Sequence, residues 1–188
     1  MIAGFGHGDE SSKVYINNNG NFDKNSFKEL PDSIYGSASQ LHMKTLPSDF
    51  DHDGDIDLAI QWSRIEPYYG GQYIQILKND GNGNYTDTTN TTDTKSLEDA
   101  YTARLQWSEP WQQIDLNNDG HMDIAGVNAI WIGASNKKPL FYLNDGKGNF
   151  EIHDVAADVV NGMPVAFFDT NNNNKIEFIT FKTTLLSE

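Results

Sequence analysis

Three times along the chain an aspartate opens a nine-residue segment with oxygen-bearing side chains at the third and fifth positions and an acid at the ninth. The copies read DFDHDGDID at 49–57, DLNNDGHMD at 115–123 and, degenerately, DTNNNNKIE at 169–177. A second segment alternates with the first: NNNGNF at 17–22, NDGNGNY at 79–85 and NDGKGNF at 144–150. Two turn-forming segments that recur in alternation confine the chain to a repeat architecture of small units, each closed by both turns.

The sequence around the turns is of strand type. Apolar runs precede the Asn-Gly segments at 14–16, 73–77 and 140–143, and β-prone runs follow the acidic segments at 58–60, 124–127 and 178–181. Asn, Asp and Gly tolerate the positive φ of tight hairpin turns, and the aromatic after each Asn-Gly turn restarts a strand. The Asn-Gly segments lie just over sixty residues apart, which suits a sheet of about four strands. With strands A to D per unit, the acidic segment joins A to B and the Asn-Gly turn joins C to D. The chain then reads BCD, ABCD, ABCD, AB, with 30–41 and 89–103 as connections between units. Helical periodicity is absent, apart from a turn or two at most over 96–105.

Oxygen ligands at alternate loop positions suit calcium, which takes six to eight hard oxygens in a flexible shell. In the first loop Asp49, Asp51 and Asp53 supply side-chain oxygens, Gly54 makes the sharp turn, Asp55 offers its carbonyl and Asp57 closes the shell. In the second, the same roles fall to Asp115, Asn117, Asp119, Gly120, the His121 carbonyl and Asp123. The third offers Asp169, Asn171, Asn173, the Lys175 carbonyl and Glu177. It has Asn174 in place of the glycine, and its occupancy is left open. Solvated acidic turns are the alternative, but carboxylates packed so closely repel one another without a cation. An EF-hand would need a bidentate Glu at the twelfth position between two helices. Ile60 and Gly126 stand there, between strands, so that reading is rejected. Side-chain carboxylates at ligand positions decrease from the first loop to the third, which ranks the first as tightest.

These paired segments resemble the FG-GAP/VCBS repeat family, whose acidic loop sits between the first two strands of a β-propeller blade. The resemblance covers nearly the whole chain, and Gly4-Phe5-Gly6 before an Asn-Gly turn fits a blade lacking its first strand. It implies an all-β fold: a partial β-propeller of four-stranded antiparallel blades, two full ones flanked by two partial ones. The blades would span about 1–41 (partial), 42–104, 105–158 and 159–188 (partial). Such an incomplete set is expected to belong to a longer propeller chain or to pair with a second copy. The resemblance implies calcium as cofactor but selects no activity, because one fold hosts many functions.

Composition narrows the partners. A net charge of −14 argues against nucleic acid and anionic membranes. No apolar stretch is long enough to span a bilayer, and the opening MIAGFGH lacks the basic and apolar regions of a signal peptide. The absence of cysteine removes disulfides, thiolate metal sites and cysteine nucleophiles. Of five histidines, His52 and His121 lie inside acidic loops, and His7, His42 and His153 have no triad context. Arg64 with Glu66, or Arg104 with Glu109, could in principle perform acid–base work, and ordinary surface ion pairs explain them just as well. No glycine-rich phosphate loop opens a helix.

In an up-and-down unit the A–B and C–D connections share one end, and B–C and D–A share the other. Trp62, Tyr68, Tyr69 and Trp131 fall in or beside B–C connections, opposite the acidic loops. Aromatic rings near Arg64, Gln72, Asn128 and Lys137 suit a sugar or a protein partner. Trp107, Trp111 and Trp131 read rather as core wedges between units. A calcium-binding, non-catalytic module for recognition or adhesion is expected, with a glycan or cell-surface protein as partner. The expected setting is extracellular, cell-surface or periplasmic, where calcium is abundant. The alternative is part of a polysaccharide-acting lyase or hydrolase, or its accessory domain.

Overall fold

The computed structural model describes residues 11–36, 40–64, 70–90, 106–107, 111–130, 138–154 and 163–181. Among these residues there is no helix. β1 (Lys13–Asn18) and β2 (Asn21–Glu29) form a hairpin. β3 (Gln40–Ser48), β4 (Asp57–Arg64), β5 (Gly70–Asn79) and β6 (Tyr85–Asp87) pair in sequence order in a second sheet. The third sheet holds β7 (Gln106–Trp107), β8 (Gln112–Ile114), β9 (Asp123–Ile130), β10 (Lys138–Asn144) and β11 (Phe150–Asp154). A last hairpin joins β12 (Met163–Phe168) to β13 (Glu177–Phe181). Every pairing is antiparallel, and among the described residues no sheet closes on itself.

The turns lie where their chemistry puts them. Asn19 and Gly20 have φ of 52° and 89°, the consecutive left-handed pair that a tight hairpin needs. The acidic segments join β3 to β4, β8 to β9 and β12 to β13, and the Asn-Gly segments join β1 to β2, β5 to β6 and β10 to β11. The third sheet departs from a four-strand count. Its first position is divided, with Gln106 and Trp107 pairing Ile130 and Ala129, while β8 pairs the stretch from Ala125 to Asp123. Pro110, which has no N–H to donate to a ladder, falls in the sequence between the two pieces. The 96–105 stretch, where the sequence allows a helical turn or two at most, and the opening Gly4-Phe5-Gly6 lie outside the described residues.

Side chains alternate across β4 and bury it on both faces. Leu58, Ile60 and Trp62 pack with Leu30 and Leu77 on one side, against Val14, Tyr35 and Tyr85. Ala59 enters the other cluster, where Leu46, Phe50, Ile74 and Ile76 meet Trp111, Ile124, Tyr142 and Phe150 of the third sheet. The second sheet is thus a layer between the first hairpin and the third sheet. Phe141 meets Phe167 edge-on at 5.7 Å, which continues the stack to the last hairpin. The Gln112 side chain clamps the same junction, donating to the Phe167 carbonyl at 2.7 Å and accepting from its N–H at 3.2 Å.

Candidate metal centre

All three acidic segments adopt one backbone frame. Residues four and six of each carry positive φ: His52 and Gly54, Asn118 and Gly120, Asn172 and Asn174. The opening aspartate spreads its two oxygens over the N–H groups of residues five and six. Asp49 does so at 3.1 Å to both Asp53 and Gly54, Asp115 at 3.2 and 3.0 Å, and Asp169 at 3.2 and 2.8 Å. The fifth side chain accepts from the seventh N–H in each copy, at Asp53, Asp119 and Asn173. The ninth acid accepts from the second N–H: Asp57 from Phe50 at 3.1 Å, Asp123 from Leu116 at 2.8 Å, Glu177 from Thr170 at 2.9 Å. In the third copy Asn174 takes the left-handed position that glycine holds in the others, as an Asn side chain permits.

The first loop brings its acids together. One oxygen from each of Asp49, Asp51 and Asp57 lies within 4.8 Å of the other two. Oxygens bound to one calcium at about 2.3–2.6 Å lie within roughly 5 Å of one another, so the donor set fits that ion. Burial pushes the Asp57 and Asp123 carboxyls up, against the pull of the N–H groups they accept, and the nearby loop carboxylates push the same way. The Asp55 N–H holds Asp53 below the ordinary carboxylate range, with help from Lys78, and the His121 N–H does the same for Asp119. These loops could hold a metal ion through hard oxygens.

The Asn-Gly turns buttress the loops from the same end of the sheets. The Asn79 N–H donates to Asp57 at 2.9 Å and its side-chain amide to the Ile56 carbonyl at 3.1 Å. Asn144 repeats this on Asp123 at 2.8 Å and on the Met122 carbonyl at 3.2 Å, and also donates to the Phe50 carbonyl at 2.8 Å. The seventh loop side chain lies over the turn's first glycine. A Cβ on Gly81 would come 2.6 Å from an Asp55 oxygen, and one on Gly146 2.4 Å from the His121 ring. Successive loops touch as well. Ring nitrogens of His52 and His121 are 2.8 Å apart, and the Asn118 amide donates to the Asn174 carbonyl.

Of the aromatic residues expected to face a ligand, Trp62 is corrected to a core residue. It is 1% exposed, the His42 ring meets it edge-on at 5.3 Å, and its indole N–H donates to the buried Gln75 at 2.8 Å. Gln75 in turn donates to the Asp32 carbonyl at 3.0 Å and to Asp87 at 2.9 Å, so the indole anchors a network that pins the 30–36 connection. Tyr68, Tyr69 and Trp131 lie outside the described residues, as do Glu66, Arg104 and Glu109. Trp111 is 1% exposed, in line with the wedge reading. Sequence reasoning missed Lys78, whose ammonium pairs with Asp51 and lies 3.3 Å from Asp53. Its only signal was its place one residue before the Asn-Gly turn. The second task of Asn79 and Asn144, bracing the loops, was hidden behind their evident role as turn residues.

The sequence matches the FG-GAP-like repeat over residues 49–125 and again over 115–180. The first match opens at Asp49 and the second at Asp115, so each starts on an acidic loop. No curated protein and no solved structure matches the chain. The two family matches together cover well over half of its length, and the chain belongs to the FG-GAP-like repeat family.

Proposed function

We propose that this FG-GAP-like repeat protein is a calcium-binding β-propeller module whose ions stiffen the loop end of its blades. One observation carries the reading: oxygens of Asp49, Asp51 and Asp57 converge within 4.8 Å on a loop whose hydrogen-bond frame recurs at Asp115 and Asp169. In this reading Asp49, Asp51, Asp53, Asp57 and the Asp55 carbonyl hold one ion, and Asp115, Asn117, Asp119, Asp123 and the His121 carbonyl hold a second. The third loop, with Asp169, Asn171, Asn173, Glu177 and the Lys175 carbonyl, is the weakest. Its closing acid is only half-buried, whereas Asp57 and Asp123 are buried, and it is longer than the aspartate it replaces. The four strands β3 to β6 make one blade, opening at Gln40 just ahead of the expected boundary at 42, and β7 to β11 make the next, within 105–158; the flanking hairpins belong to partial blades.

The module recognises a glycan or cell-surface protein without catalysis, in an extracellular or periplasmic setting where millimolar calcium fills such loops. Ligand contact falls on the end of the blades opposite the acidic loops, because a loop-held ion has few positions left for a ligand. A glycan array run in calcium and in chelator identifies the ligand class. Calcium itself is tested by melting. A site at a hundredfold excess over its dissociation constant adds about 2.7 kcal/mol when the unfolded chain binds none. The melting temperature rises with calcium, and Asp119→Ala removes more of that rise than Asn173→Ala. A melting temperature unmoved by calcium or chelator overturns the reading.

A further inference from the structure

The two well-formed acidic loops differ in one respect that a count of carboxylates does not contain. Asn79 and Asn144 occupy equivalent places, each donating its N–H to the closing acid of a loop. The residue before them is Lys78 in one case and Leu143 in the other. The Lys78 ammonium reaches into the first loop, pairing with Asp51 and standing 3.3 Å from Asp53. Asp51 is nearly enclosed, its side chain only 7% exposed, while Lys78 lies 46% open to water on the outer side. The ammonium therefore spans the third and fifth positions of the loop, both of which the calcium reading needs as ligands.

We propose that Lys78 is a tethered competitor for the cation of the first loop, and that the second loop fills first although it carries fewer carboxylates. This rests on the calcium reading given above. A lysine held on β5 meets the loop at an effective concentration on the order of millimolar, comparable to the calcium that must displace it. With calcium absent, the ammonium screens Asp51 from Asp53 and keeps the loop in shape. With calcium present, it must swing into solvent, which its long exposed stem permits. The second loop has only Leu143 at that place. The two loops thus respond to different calcium levels, and Lys78 sets the interval between them.

Calorimetric titration of the full chain with calcium chloride tests this, using Asp119→Ala to weaken the second loop and report the first. In that background Lys78→Met tightens the remaining site by up to roughly fivefold, the upper end of what one exposed ion pair supplies. Lys78→Arg, which keeps the charge, stays near the parent. Melting gives an independent sign. In chelator Lys78→Met melts below wild type, because Asp51 and Asp53 lose their counter-charge; in saturating calcium the deficit vanishes or reverses. An unchanged or weaker affinity in Lys78→Met overturns the proposal, as does a melting deficit that persists undiminished in calcium. If Asp119→Ala takes up no calcium while wild type does, the first loop is not a calcium site. The role of Lys78 then falls and the second loop's calcium stands. If wild type takes up none, both readings fall.

Discussion

His42 shows how one side chain ties stability to pH without belonging to the loops. A bulge between His42 and Lys44 shifts the register of β3. It brings the imidazole Nε2 to 2.7 Å from the Thr45 hydroxyl, with the ring edge-on to buried Trp62. Burial pushes its pKa below the ordinary value of 6.5, so the folded protein holds the ring neutral where the unfolded chain takes up a proton. Between those two values the unfolded state binds more protons, and stability rises with pH. In chelator, the melting temperature should therefore fall as pH is lowered from about 7.5 through the ordinary histidine range, and His42→Gln should flatten that slope. An equal slope in the variant would show that another group carries it. The sequence offered His42 only as a histidine without catalytic context, since neither the bulge nor the indole can be read from spacing. The loop aspartates were legible because their chemistry is local: nine residues contain the whole donor set. Lys78 was not, because its contact spans 27 residues and depends on which strand flanks the loop.

Strands and loops behave as elements that were written plainly, with one exception. Alternating apolar runs beside strong turn signals specify each hairpin, since register and turn agree at every acidic and Asn-Gly segment. The divided first strand of the third sheet was illegible. Its two pieces are short, and while β8 meets β9 across the acidic loop, β7 pairs with the far end of β9 at Ile130 and Ala129, a contact that no local turn signals. That sheet also shows what a glycine within a strand signals. A Cβ on Gly126 would stand 2.6 Å from two atoms of the Trp111 ring, which lies fully buried beside Tyr142. The missing side chain is the space that the indole occupies. Gly126→Ala should force the ring or the strand aside and cost about 1–3 kcal/mol, as overpacking of a filled core does. Urea unfolding measures this directly. A change below about 0.5 kcal/mol, the scatter of neutral surface substitutions, would mean that the indole has another place to go.

At the scale of the molecule, sheets stack in series, and among the described residues the first and last hairpins pair with no further strand, β2 only with β1 and β13 only with β12. Both terminal hairpins also present apolar side chains to water: Phe22 is 60% exposed, Tyr15 43% and Ile179 50%. Open backbone edges with exposed apolar residues favour pairing with another strand. The net charge of −14 opposes this, because two copies repel each other at low salt. Association should therefore depend on screening. The Debye length shortens from about 10 Å at 0.1 M salt to about 3 Å at 1 M, and each bound calcium cancels two negative charges. Light scattering should report a mass that climbs with protein concentration, more steeply at high salt and in calcium than in chelator at low salt. Ile179→Lys places a charge on the edge hairpin, as natural edge strands do, and should suppress the increase. A mass that stays monomeric across salt and calcium, with slow amide exchange in β2 and β13, would show that these edges are covered within the single chain.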